Sequence, residues 1–283
     1  MSFSPIISAK ELSAILFQEN LILIDAGSGT LAYERYLKEH IASAIYVDLN
    51  EDLAAVPEDA SEGGRHPLPS PKQFAALLQR LGISEKSRII VYDDKNGSNA
   101  AARFWWMVRA AGLRQIQVLD GGLQAAKEAQ LPITDTITTP QKTELIDFAT
   151  WQLSTADLQL MTQFSPDNQS LIIDVREPER YRGISEPIDL IAGHIPGAIN
   201  IPFKDNLQQD GTFKNPGQLR VMYEPILAST PSEKAVVHCG SGVTACHTLL
   251  AIDYAGLPLP KLYVGSWSEW SRNDLPITTD LPH

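Results

Sequence analysis

Only two cysteines, Cys239 and Cys246, occur among 283 residues, too few for a disulfide framework in a chain of this size. With His238 and His247 nearby they form no Cys-x-x-Cys or His-rich pattern, so a zinc site is not expected. Basic residues are also scarce: 23 Lys and Arg stand against 34 Asp and Glu, for a net charge of −11. A mean field of that sign repels polyanions and excludes a general affinity for nucleic acid or anionic membrane. Any small anion must be drawn in by local positive groups. No apolar run is long enough to span a bilayer. The opening residues Met1-Ser2-Phe3-Ser4-Pro5-Ile6 lack the basic and apolar stretches of a secretory leader. A soluble, cytoplasmic protein is the expectation.

What is present in quantity is apolar sequence, at 43%, enough for globular cores throughout. At this length two domains of roughly 130 to 150 residues are expected rather than one. An internal repeat supports the division. Leu119-Asp120-Gly121-Gly122-Leu123, followed by Leu131-Pro132-Ile133-Thr134, matches Tyr263-Val264-Gly265-Ser266-Trp267, followed by Leu275-Pro276-Ile277-Thr278. Further pairs fall in the same order: Leu23-Ile24-Asp25 with Ile172-Ile173-Asp174, His40 to Ile45 with His194 to Ile199, Ile90 to Asp93 with Val236 to Cys239, and Ala111-Gly112-Leu113 with Ala255-Gly256-Leu257. A collinear set is better explained by duplication than by chance tripeptides.

Within the first copy, Ile22 to Asp25, Arg88 to Tyr92 and Gln115 to Leu119 read as buried strands. Pro71 to Leu81, capped by Ser70, and Asn99 to Ala111 read as helices. Ser8 to Glu11 has the spacing of a capping box, and Ser154-Thr155-Ala156-Asp157 offers helix-start residues in the second copy. The alternation predicts an α/β fold: two tandem domains, each a mainly parallel sheet with helices on both faces. The boundaries expected are residues 1–134, a threonine-rich linker over 135–150, and residues 151–283. Function in such folds gathers at the carboxyl ends of the strands.

Ala235 to His238 is an apolar run leading into Cys239, and Ala245 to Ile252 reads as a helix, so Cys239 lies in a strand-to-helix loop. Gly240 and Gly242 let the backbone turn successive N–H groups into one concavity, which suits an anion such as a thiolate. The helix N-terminus adds to that field. A lone cysteine beside a turn is ordinarily a small buried residue. Two glycines, a serine and a threonine among the next five residues point instead to a nucleophile. Cys246, within that helix, reads as core; a redox partnership with Cys239 is the lesser alternative. A cysteine phosphatase would need an arginine after five intervening residues to bind phosphate oxygens, and Ala245 stands there.

The loop Cys239-Gly240-Ser241-Gly242-Val243-Thr244-Ala245 resembles that of the tandem-domain rhodanese and 3-mercaptopyruvate sulfurtransferase family, in the form typical of the mercaptopyruvate enzymes. Arg103-Phe104-Trp105-Trp106, Leu119-Asp120-Gly121-Gly122, Gly193-His194-Ile195-Pro196-Gly197-Ala198 and Gly265-Ser266-Trp267 are similar to family landmarks, so the likeness covers nearly the whole chain. It implies that Cys239 attacks the sulfur of a small-molecule donor, leaving pyruvate and a cysteine persulfide. A thiol acceptor such as thioredoxin or glutathione, or cyanide, then takes the sulfur. No cofactor is implied. Gly240, Gly242, Val243 and Thr244 would supply the cradle, and Ser241 could relay a proton.

The stretch Asp174-Val175-Arg176-Glu177-Pro178-Glu179-Arg180-Tyr181 resembles the family's Asp-x-Arg-x-x-x-Arg-aromatic element. The match implies that Arg180 holds the substrate carboxylate, while Asp174 and Arg176 support the fold. Arg103 and His66 are candidates to line a cleft between domains. Asp93 takes the place of the cysteine in the first copy, which is therefore expected to be catalytically silent. Two positions depart from the family. Ile188 follows Glu186-Pro187 where a second arginine is usual, and Asp48-Leu49-Asn50 stands for an Asp-x-Asp that faces the serine. Thiosulfate:cyanide transfer is the close alternative, and a non-turnover persulfide carrier is the alternative from another class.

Overall fold

The structure, a computed structural model, describes residues 3–165, 167 and 169–280; Met1 and Ser2, at the start of the stretch read for a leader, lie outside them. The chain forms two compact units. The first comprises residues 1–55, 69–153 and 209–213; the second comprises 56–68, 154–208 and 214–283. Each half thus lends one short segment to the other unit. His66, read from sequence as part of the first domain, belongs to the second unit, and residues 135–150 group with the first.

The first unit runs β1 (Ile6–Ile7), α1 (Ala9–Ile15), β2 (Leu21–Gly27), α2 (Ala32–Lys38), β3 (His40–Ile41), β4 (Ile45–Asp48), α3 (Leu49–Asp52), α4 (Pro71–Arg80), β5 (Arg88–Tyr92), α5 (Ala100–Ala110), β6 (Ile116–Leu119), α6 (Gly122–Glu128) and β7 (Ile133–Thr134). The second runs β8 (Thr155–Ala156), α7 (Leu158–Phe164), β9 (Leu171–Asp174), α8 (Pro178–Tyr181), β10 (Ala198–Asn200), α9 (Pro216–Leu227), β11 (Ala235–His238), α10 (Ala245–Tyr254), β12 (Lys261–Tyr263) and α11 (Ser266–Trp270).

Each unit is built on a five-stranded parallel sheet, ordered β1-β6-β5-β2-β4 in the first and β10-β9-β11-β12-β8 in the second. Read from opposite edges these are the same order, so the duplication seen in sequence is a duplication of topology. The central strands are buried along most of their length, which is why they read as continuous apolar runs rather than alternating ones.

The helix starts follow from side chains that take orphan N–H groups. Ser8 with Glu11 and Ser70 with Gln73 close reciprocal capping boxes at α1 and α4, with Pro71 in the first turn of α4. At the start of the second copy only Asp157 acts as a cap, its carboxylate accepting from the Leu160 N–H. Thr155 and Ala156, read from sequence with the helix start, instead form the edge strand β8 beside β12, where the neighbouring backbone offers a ladder.

The repeated residues do repeated work. His40 pairs with Thr134 and His194 with Thr278. Each histidine stacks on a tyrosine, Tyr36 with centroids 4.0 Å apart and Tyr181 at 3.8 Å. Each Nδ1 meets that tyrosine's carbonyl, and each hydroxyl donates to a backbone carbonyl of the following turn, Ala44 or Ala198. The threonine-rich segment 135–150 forms no helix or strand, but Phe148 and Trp151 pack on Phe74. No helix among the described residues is long and apolar enough to cross a membrane.

Residues 209–213 join the first unit through Asp120, whose Oδ1 accepts the Phe213 N–H at 2.8 Å. Burial pushes the Asp120 carboxyl up to about 6, the Phe213 N–H opposing and nearby Asp210 reinforcing the shift. Asp120 therefore keeps its proton in the folded protein where the unfolded chain has lost it, so its contribution to stability falls as pH rises from about 4 to 6. Asp120→Asn keeps an acceptor oxygen without the charge. It is expected to raise the melting temperature at pH 7 to 8, with the gain shrinking towards pH 4, as thermal melts across that range would measure; an equal change at every pH would contradict the assignment.

Candidate active site

In the second sheet β9 and β11 lie side by side, with Asp174 opposite His238. From β9 the chain steps to β10 on one side, whereas β11 leads on to β12 on the other. This is the point of an open parallel sheet where loops diverge and leave a crevice. Cys239 follows directly on β11, so the parallel register brings it there.

The loop from Cys239 to Thr244 is pinned from one side by α11. The carbonyls of Cys239 and Gly240 accept from the N–H groups of Trp267 and Ser268 at 3.0 and 2.8 Å, and the Cys239 N–H donates to Ser266 Oγ. Gly242 has φ of 72°, and a Cβ there would run into the Val264 carbonyl oxygen, so only glycine fits the bend. With carbonyls turned towards α11, the N–H groups of Gly240, Ser241, Val243 and Thr244 have no backbone or side-chain acceptor among the described residues. They precede the N-terminus of α10.

The first unit shows what such a loop accepts. There the strand β5 ends at Asp93, whose Oδ1 takes the N–H groups of Lys95 and Gly97 at 2.9 and 2.8 Å, and whose Oδ2 takes those of Asn99 and Ala101 at 3.1 and 3.3 Å. Burial pushes the Asp93 carboxyl up, against the pull of those donors. The Leu123 N–H bonds the Asp93 carbonyl at 3.0 Å, as Trp267 bonds that of Cys239. The two loops are one device, an anion cradle that the first unit fills with its own carboxylate.

Ser241 Oγ lies 2.7 Å from His66 Nδ1. His66 arrives on the segment 56–68, which α11 holds: Gly63 N–H donates to Glu269, Arg65 N–H to Ser268 Oγ, and Asn273 to the Ser61 carbonyl. A Cβ on Gly64 would meet the Gly265 carbonyl. In one tautomer His66 donates to the serine, and in the other it accepts the hydroxyl proton, so the pair can move a proton either way. Asp48, part of the motif read as facing the serine, caps α3 by accepting from Asn50 and Glu51 N–H. Ser241 has a histidine partner in its own unit.

Arg180 Nε contacts both Glu186 oxygens at 2.9 Å, and its Nη2 reaches Asp189 at 3.0 Å. Arg176 is wholly enclosed, gripping Asp174 through Nε and Nη2, donating to the Gly193 carbonyl and lying 4.4 Å over the Trp267 ring. Burial works to raise the Asp174 carboxyl, but Arg176 outweighs it and holds the group below its ordinary value. Burial lowers His238, with Asp174 3.7 Å away opposing, so the residue before the cysteine is a neutral imidazole at neutral pH. Cys246 is enclosed in α10, its thiol directed at the Gly242 carbonyl at 3.4 Å. Arg103 lies fully buried on α5 of the first unit, where its Nε meets the Leu53 carbonyl.

The structure thus gathers Cys239, Ser241, His66, Arg180 and the glycines in one unit. It adds Arg65 and Asp189, which the sequence reading did not single out, and Glu186, which that reading named only as the start of the element in which Ile188 replaces an arginine. Gly63-Gly64 before Arg65, with Pro67 and Pro69 behind His66, was the local sign that this segment is held in a fixed shape.

A family model described as the rhodanese-like domain matches residues 8–129 and again 157–273. The chain is 39% identical to the "probable 3-mercaptopyruvate sulfurtransferase" of Pseudomonas aeruginosa, over 95% of this chain and 96% of that protein. It is 34% identical to the thiosulfate sulfurtransferase of Mus musculus, over 87% and 82% respectively. Among solved structures, the 3-mercaptopyruvate sulfurtransferase of Leishmania major superposes with a TM-score of 0.78 at 28% identity, covering 95% of this chain and 74% of that one.

Gly242→Ala is expected to destabilise the protein by about 1–3 kcal/mol, the cost of a side chain in this backbone region plus displacement of Val264, and to change the rate at which Cys239 is alkylated. Denaturant unfolding and timed alkylation measure both; wild-type behaviour in each would show that the loop does not need the glycine.

Proposed function

Because the chain belongs to the rhodanese-like domain family, we propose that it is a sulfurtransferase that carries sulfur from 3-mercaptopyruvate, as a persulfide on Cys239, to a thiol or cyanide acceptor. The observation that carries this reading is the cradle at Cys239. Where the first unit seats the Asp93 carboxylate on backbone N–H groups, the second has a cysteine and N–H groups left for an anion. A thiolate or persulfide meets that demand.

In the first half-reaction the Cys239 thiolate attacks the donor sulfur. An S–S bond forms, the carbon–sulfur bond breaks, and its electron pair passes into the enolate of pyruvate. That carbon needs a proton, which Ser241 delivers and His66 replaces across their 2.7 Å contact. In the second half-reaction an acceptor thiolate attacks the outer sulfur, the S–S bond breaks, and the Cys239 thiolate returns. Gly240, Ser241, Val243 and Thr244 N–H groups hold the charge on sulfur through both. Thiolate acceptors such as reduced thioredoxin or glutathione, and two cysteines that remain free, support a cytoplasmic setting. The first unit is silent, since the carboxylate of Asp93 cannot carry sulfane sulfur. Arg103, enclosed in that unit, is assigned no contact with the reacting atoms.

The serine–histidine pair favours mercaptopyruvate over thiosulfate. Sulfite leaves thiosulfate as a stable anion and needs no proton, whereas a carbanionic leaving group does. The neutral side chains of Gly240 to Thr244 agree with this. Arg180 would hold the donor carboxylate with the part of its guanidinium not taken by Glu186 and Asp189.

Turnover with each donor, assayed with cyanide and with reduced thioredoxin, tests the reading; a clear preference for thiosulfate overturns the donor assignment. Cys239→Ser is expected to abolish transfer with folding retained, and substantial residual activity would remove Cys239 from the mechanism. His66→Ala is expected to lower kcat on mercaptopyruvate by roughly a hundredfold, the lower range for a general acid–base group, and to spare thiosulfate. Equal losses on both donors would make His66 structural. A persulfide that forms on Cys239 but turns over with no acceptor tested would favour a carrier.

A further inference from the structure

Ile188, standing where the family's second arginine is usual, is an exposed apolar residue and brings no charge to the site. A second guanidinium is nevertheless there, from another part of the chain. Arg65 Nε and Nη2 reach the two oxygens of Asp189 at 2.9 and 3.3 Å, and Arg180 Nη2 reaches the same carboxylate at 3.0 Å. A Cβ placed on Gly240 would stand 3.2 Å from Arg65 Nη2, 3.3 Å from Arg180 Nη2 and 3.4 Å from Asp189 Oδ2, the carboxylate that both cations share. Both cations therefore flank the residue that follows the nucleophile.

We propose that Arg65 is the second arginine of an anion clamp and determines the preference for a carboxylate-bearing donor, with Asp189 as the positioning residue that spaces Arg65 from Arg180. This rests on the sulfurtransferase reading above.

Arg65 and Arg180 each keep Nη1 without a hydrogen bond or ion pair among the described residues. Asp189 is enclosed and also meets Arg272 at 3.4 Å. Around it Arg65, Arg180 and Arg272 face Asp189, and Glu186 is shared by Arg180 and Arg176. An incoming carboxylate takes the remaining guanidinium donors of Arg65 and Arg180 without displacing Asp189. In 3-mercaptopyruvate two carbons separate the sulfur from the carboxylate carbon, so a donor whose sulfur meets Cys239 brings its carboxylate to the neighbourhood of Gly240. Arg65 can hold it because its backbone is fixed: its own N–H is bonded to Ser268 and Gly64 is wedged on the Gly265 carbonyl.

The test compares 3-mercaptopyruvate with mercaptoacetone, which has the same thiol and ketone but a methyl group in place of the carboxylate. In Arg65→Ala the ratio of kcat/KM for the two donors is expected to fall about tenfold to a hundredfold, the range of one charge-assisted hydrogen bond, with the loss in KM for mercaptopyruvate. Arg65→Lys, which keeps charge and stem but loses the fork, should recover only part of the ratio, and it makes the same comparison should the alanine variant fail to fold. Asp189→Asn should lower the ratio in the same sense. A ratio unchanged in Arg65→Ala, or an equal loss on both donors, overturns the clamp while leaving the transfer reading intact. Wild-type protein that transfers sulfur from neither donor overturns the transfer reading and the clamp with it.

Discussion

The hydrogen bonds from Trp267 and Ser268 N–H to the carbonyls of Cys239 and Gly240 are the constraint on which the site depends. A peptide unit whose carbonyl is tied on one side presents its N–H on the other, so fixing two carbonyls against α11 decides where the donors of the loop point. The same short helix fixes a second strand of chain. Ser268 Oγ receives the Arg65 N–H, and Glu269 receives that of Gly63. One turn of helix therefore sets the geometry between the Cys239 loop and the segment that bears Arg65 and His66. Its other face is sealed by Trp267 and Trp270, fully enclosed in the core, whose indole N–H groups donate to the Ile191 and Pro276 carbonyls. Rigid aromatic anchoring keeps a five-residue helix from fraying at the place where position matters most.

The comparison of the two halves separates scaffold from chemistry. Strand order, the Tyr–His stacks and the carbonyl tie from the second residue after the repeated glycine are common to both. The residue that ends the central strand is not. In the first half a carboxylate meets four N–H groups at the expense of its own solvation; in the second a cysteine stands there, followed by N–H groups with no acceptor among the described residues. The fold accepts either residue, so a single position separates a self-satisfied turn from the one proposed to react.

Much of this was legible in the chain itself. The repeat gave the topology because topology follows from the order of apolar runs and glycines, and the cysteine loop was readable because its glycines and its strand-to-helix position are local. Cap residues announced α1 and α4 for the same reason. Thr155 and Ala156 were misread with the helix that follows, since an edge strand of two residues exists only by virtue of its neighbour β12. The pairing of Arg65 with Asp189 was invisible because the two lie 124 positions apart in the chain, and no periodicity records which distant charges will share a carboxylate. The exchange of residues 56–68 is the deeper omission. Nothing in a two-copy pattern says that one copy reaches out of its own fold.

That exchange makes the second unit depend on the first half of the chain. Here the aspartate-bearing half encodes the histidine at the serine and the arginine at the loop, though neither folds with it. Trimming the chain to the cysteine-bearing half would leave the sheet and the Cys239 loop and would delete the side chains that stand beside Ser241 and Gly240. The carboxy-terminal half by itself is therefore less than the unit that bears the cysteine.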